Sequence, residues 1–207
     1  MKMNLPNKLT VLRLCLVPVI IIFGMLPINF YLSCTVCAIL FIGTAVTDML
    51  DGKIARKYNL ITDFGKFLDP IADKFMVIGA LFVILYKFEN LRVPMIFVIL
   101  VVVFRELAVT SMRLVVSTGQ NIVIAANNLG KIKTVSQIVF ISTVFLEPVL
   151  QLVVIKIFNS FSKHALEYLP GAIVPLTWAT LVFTLVMTVW SGMNYILAYW
   201  KYLDPEK

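Results

Sequence analysis

Long apolar runs separated by short polar breaks dominate this chain. A helix needs ~20 largely apolar residues, within a range of about 17–25, to span the ~30 Å hydrocarbon core of a bilayer. Six stretches reach that scale: Leu9–Leu26, Phe30–Ile54, Pro70–Tyr86, Pro94–Val116, Lys133–Phe158 and Gly171–Leu197. The pattern predicts an all-α, polytopic integral membrane protein with six transmembrane helices, forming a single membrane-embedded domain over residues 1–207. The fifth stretch is the weakest, because Glu147-Pro148 interrupts it and the helix is expected to end or kink there. The first stretch follows a basic start, as a signal peptide does. Arg13 lies inside it, however, and no small-x-small cleavage site follows, so it is expected to remain as a span.

Composition strengthens this reading. Hydrophobic residues make up 60% of the 207 and charged residues 14%, against about 45–50% and about 25% in soluble domains. With 9 Gly, 9 Pro and 3 Cys, collagen, disorder and a disulfide scaffold are excluded. Cys34 and Cys37 have C-x-x-C spacing but lie in an apolar run, where no polar setting activates a thiol; with Cys15 they are expected to be small packing residues. The net charge of +7 does not mark a nucleic-acid partner, because no basic run is interleaved with aromatics in a polar segment. It reads instead as topology. Thirteen Lys and Arg fall at the two termini, between spans two and three, and between spans four and five. Four fall on the other side, Lys87, Arg92, Lys156 and Lys163, with Arg105 mid-span. That bias predicts both termini in the cytoplasm.

The acidic residues add candidate chemistry. Asp48, Asp51, Asp63, Asp69 and Asp73 are five of the eleven, and all fall near the expected cytoplasmic ends of spans two and three. A carboxylate at membrane depth costs about 2.5–3.5 kcal/mol on insertion scales, so such a cluster calls for cations. Asp48 and Asp51 are three apart and Asp69 and Asp73 four apart, so each pair shares a helical face and two helices can present four carboxylates to one point. Oxygen-only donors suit Mg²⁺, Mn²⁺ or Ca²⁺ rather than softer-ligand metals, and the only histidine, His164, lies elsewhere. Gly52, Ala55 and Gly65 leave room for a bulky ligand near the backbone. Asp69 followed by Pro70 suggests a helix capped at Asp69, and Asp63 reads as a loop residue.

Asp48-x-x-Asp51-Gly52-x-x-Ala55-Arg56, eight residues, Gly65, three residues, Asp69, three residues, Asp73 resembles the signature of the CDP-alcohol phosphatidyltransferase family at every fixed position. The start Leu5-Pro6-Asn7-Lys8-Leu9-Thr10-x-x-Arg13, the segment Phe104 to Thr110 through Arg113, and Leu129-Gly130-Lys131-Ile132-Lys133-Thr134 are similar to a bacterial branch of it. Members of that branch move a phosphatidyl group from CDP-diacylglycerol to sn-glycerol 3-phosphate and release CMP. The resemblance implies a bacterial inner-membrane enzyme with two Mg²⁺ or Mn²⁺ ions, a membrane-lipid environment and a homodimer. It implies metal ligation by Asp48, Asp51, Asp69 and Asp73, with Asp73 as general base and Asp69 also in the catalytic set. Asn7, Thr10, Arg13, Gly52, Ala55, Arg56 and Gly65 would border CDP-diacylglycerol.

Glycerol 3-phosphate brings a phosphate of its own, for which Arg105, Arg113, Lys131 and Lys133 are the candidate ligands. Arg105, deep in an apolar span, needs an anion, and Glu106 is expected to orient one of these cations. Two rivals stay open. One is the same reaction with phosphatidylglycerol, serine or inositol phosphate as acceptor. The other is a cation transporter, although transporters usually place their sites at the midplane between repeats.

Overall fold

The computed structural model describes residues 4–58, 62–120, 128–161 and 175–200; the side chains of residues 54, 56, 117–120 and 158–161 are outside the described set. All regular structure among the described residues is helical: α1 (Leu5–Met25), α2 (Phe30–Lys57), α3 (Asp63–Lys87), α4 (Arg92–Gln120), α5 (Asn128–Phe161) and α6 (Pro175–Tyr199). A 3-10 turn, Glu89–Leu91, leads into α4.

Five of these helices, all except α3, are long and apolar enough to cross a membrane, so the chain is a multi-pass membrane protein. By that measure six predicted spans become five. The reason is that α3 gathers Asp63, Lys66, Asp69, Asp73 and Lys74 in its first half, and only the stretch from Phe75 to Tyr86 is free of charge. The outer faces carry exposed Ile39, Phe67, Phe97, Phe104, Phe183 and Leu197. Contiguous apolar surface of this kind is tolerated against lipid, not against water.

The helix α3 runs through the middle of the bundle, packed against α1, α4 and α5; α2 lies on α1 and α5, and α6 on α4 and α5. The core is formed where these faces meet, by Val17, Ile20, Phe41, Met76, Ile84, Phe140 and Phe145 among others. Helices in lipid gain little from the hydrophobic effect and associate by close van der Waals contact, which small residues permit. Gly24 and Gly79 do this for α1 against α3: a Cβ at Gly79 would lie 2.7 Å from Val17 Cγ1, and one at Gly24 would collide with Val83. At this end of α1, Lys87 Nζ donates to the Gly24 carbonyl and stands 5.4 Å over the Phe30 ring.

Three expectations change. α3 starts at Asp63 and is capped by Thr62, whose Oγ1 accepts the Gly65 N–H at 3.1 Å. Asp69 is therefore no cap, Pro70 lies inside the helix, and Asp63 is its first residue, paired with Lys66 at 3.0 Å. Cys34 and Cys37 are buried, as a packing role requires, whereas Cys15 is exposed on α1.

The third concerns Glu147-Pro148, expected to end or kink α5: the helix does not end there but continues through both residues. Glu147 is buried, and its carboxylate accepts the N–H groups of Leu176 at 3.2 Å and Thr177 at 2.7 Å. Helix N-termini leave four N–H groups without intrahelical partners and favour negative charge. Val174, before Pro175, has no polar side chain to serve as a cap, so the cap of α6 comes from the neighbouring helix. Replacing Glu147 with Leu takes the acceptor from both donors and strands the buried Thr177 N–H at ~1–3 kcal/mol. Thermal denaturation in detergent should show that loss for Glu147→Leu and a much smaller one for Glu147→Gln, which keeps an acceptor oxygen.

Candidate active site

At one end of the bundle the start of α1 is bound to the start of α3. Asn4 caps α1, its side chain accepting the Asn7 N–H at 3.1 Å. Asn7 is buried, and its Oδ1 accepts from Thr62 Oγ1 at 3.0 Å. The buried Thr10 hydroxyl donates to Asp69 Oδ1 at 2.7 Å. Gly65 fits beneath this clamp, since a Cβ there would stand 3.0 Å from Asn7 Oδ1. One turn further along α1, Arg13 is 2% exposed and grips both carboxylates of α2: Nη1 lies 2.5 Å from Asp48 Oδ1 and Nη2 2.7 Å from Asp51 Oδ2. Its Nε has no hydrogen-bond partner among the described residues. Asp51 is buried, Asp48 and Asp73 are half-buried, and Asp69 is exposed apart from its bond to Thr10.

The four aspartates share one field: Asp69 acts electrostatically on Asp48 and Asp51, and Asp48 on Asp73. They do not meet at a single point. Among the described residues no three acidic side chains are close enough to hold one ion between them. Like charges separate unless a cation joins them, and between Asp48 and Asp51 the Arg13 guanidinium is that cation. The donor chemistry, carboxylate oxygens only, fits hard divalent ions. Arg13 already supplies positive charge between Asp48 and Asp51. Gly52 and Ala55 flank Asp51 on α2 with partial exposure, and the side chain of Arg56 lies outside the described residues.

Beside the aspartates lies a basic cluster built on α3, α4 and α5. Glu106 is its anion: it pairs with Arg105 at 3.0 Å, with Lys133 in a short contact, and with Lys74 at 4.0 Å. Lys74 Nζ also donates to Thr110 Oγ1 at 2.5 Å. With Asp73, Thr134 and Gln137, these groups line a polar cavity of about 50 Å³. Arg105 has a buried Nε with no partner among the described residues.

The helix α6 holds the arginines in place. Ser191, fully buried, accepts from Arg105 Nη2 at 2.7 Å, and Tyr195 Oη accepts from Arg113 Nη2 at 3.3 Å. A Cβ on Gly192 would sit 3.0 Å from Arg105 Cγ, so this glycine leaves the arginine its place. Of the four expected acceptor-phosphate ligands, Arg105 and Lys133 line the cavity. Arg113 is exposed one face away on α4, and Lys131 is exposed in the first turn of α5. Sequence reasoning misses Lys74, Gln137, Ser191 and Tyr195. For Gln137 and Ser191 there is a signal, a polar residue inside an apolar helical stripe; for Tyr195 there is none.

Residues 3–200 match the family described as CDP-alcohol phosphatidyltransferase. The chain belongs to the CDP-alcohol phosphatidyltransferase family. It is similar to proteins named CDP-diacylglycerol--glycerol-3-phosphate 3-phosphatidyltransferase in several bacteria. That of Bacillus subtilis (strain 168) is 38% identical over 213 residues, covering 98% of each chain. That of Rickettsia felis is 39% identical over 144 residues, 69% of this chain and 75% of its own. A third, from Yersinia enterocolitica, is 31% identical over 209 residues, covering 99% of this chain and all of its own. As a member of this family the chain is a transferase, and its signature aspartates are those placed at the shared end of α2 and α3.

Proposed function

We propose that this chain transfers a phosphatidyl group from CDP-diacylglycerol to sn-glycerol 3-phosphate, giving phosphatidylglycerophosphate and CMP, in a bacterial cytoplasmic membrane. The observation that carries this is a juxtaposition at one end of the bundle. The aspartates of α2 and α3 stand beside the basic cavity of Lys74, Arg105 and Lys133, which Glu106 holds together. An acidic site suits the cations that accompany a pyrophosphate, and a basic one suits an acceptor that brings its own phosphate. The names of the similar proteins specify glycerol 3-phosphate as that acceptor.

In this reading α3 is the sixth crossing. Its 25 residues measure about 37 Å at 1.5 Å per residue, enough for the hydrocarbon core. The Lys and Arg bias then puts both termini and the site on the cytoplasmic side, at the level of the lipid headgroups. CDP-diacylglycerol enters laterally from the bilayer and the polar acceptor from water. The protein works as a homodimer, as the family resemblance implies.

Asp48, Asp51, Asp69 and Asp73 are the ligands for two Mg²⁺ or Mn²⁺ ions, which would neutralise the pyrophosphate and stabilise the leaving oxygen of CMP. Asn7, Thr10, Arg13, Gly52, Ala55, Arg56 and Gly65 border the cytidine nucleotide. Arg105 and Lys133 grip the acceptor phosphate, with Arg113 and Lys131 drawing it in from the mouth of the site. Glu106 acts through these cations as a positioning residue. Asp73 takes the proton of the acceptor's primary hydroxyl as its oxygen attacks the phosphatidyl phosphorus in line. The bond from that phosphorus to the CMP oxygen breaks in the same ternary complex. No phosphorylated enzyme is required.

The test is CMP release by the purified protein in detergent with CDP-diacylglycerol and Mg²⁺, offering glycerol 3-phosphate, phosphatidylglycerol, serine and inositol phosphate separately. Release that requires glycerol 3-phosphate and stops with EDTA is the expected result. Release with another acceptor only corrects the acceptor, and release with none returns the aspartates to an ion-transport reading.

A further inference from the structure

Gln137 lies one turn after Lys133 on α5, on the stripe that continues into buried Phe140, Ile141 and Val144. It is 2% exposed, and its Nε2 is buried with no hydrogen-bond partner among the described residues. A buried donor left unmade costs about 1–3 kcal/mol, whereas an apolar residue of similar shape would fill the same space without that penalty. Gln137 is one of the residues that line the cavity shared by Asp73, Lys74, Arg105, Glu106 and Lys133. An unpaired donor in a polar cavity is satisfied by whatever enters that cavity.

The neighbouring groups narrow the choice. The cations of the cavity suit a phosphate and Asp73 suits a hydroxyl proton. The other neutral polar group on the wall, the Thr134 hydroxyl, donates to the Gly130 carbonyl at 3.1 Å. The amide of Gln137 thus remains as a neutral donor, matched to a neutral oxygen. On an acceptor whose phosphate meets Arg105 and Lys133 while its primary hydroxyl meets Asp73, the oxygen in between is the secondary hydroxyl.

We propose that Gln137 is a specificity-determining residue whose amide donates a hydrogen bond to the secondary hydroxyl of the glycerol 3-phosphate acceptor. This rests on glycerol 3-phosphate being the acceptor. Sites built to hydrogen-bond a substrate hydroxyl reject analogues that lack it, because the site's own polar group is then left unpaired.

The experiment compares sn-glycerol 3-phosphate with 3-hydroxypropyl phosphate, which lacks only that hydroxyl, in CMP release by the full-length protein and by Gln137→Met. Met is unbranched and of similar length but has no N–H to give. Wild type should prefer glycerol 3-phosphate by roughly tenfold or more in kcat/KM, and the variant should narrow that ratio to within about threefold, the loss falling on glycerol 3-phosphate. An unchanged ratio, or an equal loss with both acceptors as a purely structural or water-binding amide would give, overturns the proposal. If the variant does not turn over, thermal protection by each acceptor replaces the rate: glycerol 3-phosphate should protect wild type better than the deoxy compound, and the variant equally. Wild type that releases CMP with neither acceptor overturns the acceptor assignment itself, an outcome separate from an unchanged ratio.

Discussion

Asp73→Asn is expected to reduce CMP release by about a thousandfold or more, since a positioned general base contributes roughly 10²–10⁴-fold and this residue also holds charge for the cations of the site. Asn matches Asp in shape, so the cavity lined by Lys74, Arg105, Glu106, Lys133 and Gln137 keeps its walls. It can neither accept the acceptor's proton nor supply an anionic oxygen. Folding should suffer little, because Asp73 makes no ion pair within 4.0 Å among the described residues, and the cations in whose field it lies, Lys133 and Arg13, are offset by two acids, Asp48 and Glu106. The useful comparison is therefore turnover against thermal denaturation in the same detergent. Turnover within tenfold of wild type would remove Asp73 from the role of base. A collapse of stability alongside turnover would make it a structural residue instead.

Arg13→Met carries the largest expected effect on stability. Arg13 is almost wholly buried and is the cation for both Asp48 and Asp51. Removing one partner of a buried ion pair costs roughly 3–5 kcal/mol, because the other charge stays behind uncompensated. Asp51, at 6% exposure, would be left buried without that cation. The loss should appear as a lower midpoint in thermal denaturation with EDTA present, and the double variant Arg13→Met with Asp51→Asn should recover most of it. A divalent ion held by the same carboxylates supplies the missing charge, so Mn²⁺ should raise the midpoint of Arg13→Met more than that of wild type. Equal rises in both proteins would separate Arg13 from the aspartates' ion site.

The roles of Asp73 and Arg13 are legible in the sequence to different depths. The spacing of Asp69 and Asp73 puts them on one face of a helix, and they lie on α3 together. Nothing in the spacing shows that Arg13 closes on Asp48 and Asp51, because that contact joins residues 38 apart along the chain in its longer arm. Glu106 is expected from its place beside Arg105 to orient one cation, and it gathers Arg105, Lys133 and Lys74. The addition of Lys74 depends on where α3 passes α4. Glu147 carries no evident chemistry in the sequence. Its part in capping α6 depends on two helices that meet across a stretch of chain outside the described residues.

Local chemistry along the chain is enough to dictate helices, because long apolar runs in lipid must bond their own backbones, and with them a multi-pass membrane protein. It also supplies the oxygen-donor aspartates with their helical spacing, and the motif that places the chain in its family. Packing alone establishes which charges neutralise which, that α6 seats Arg105 and Arg113 through Ser191 and Tyr195, and that Gln137, whose buried donor is unpaired among the described residues, lines the polar cavity. Helical periodicity fixes a residue's direction relative to its own axis. Which neighbour it meets depends on how the helices pack, and small residues such as Gly24, Gly79 and Gly192 set that through contacts far apart in the chain.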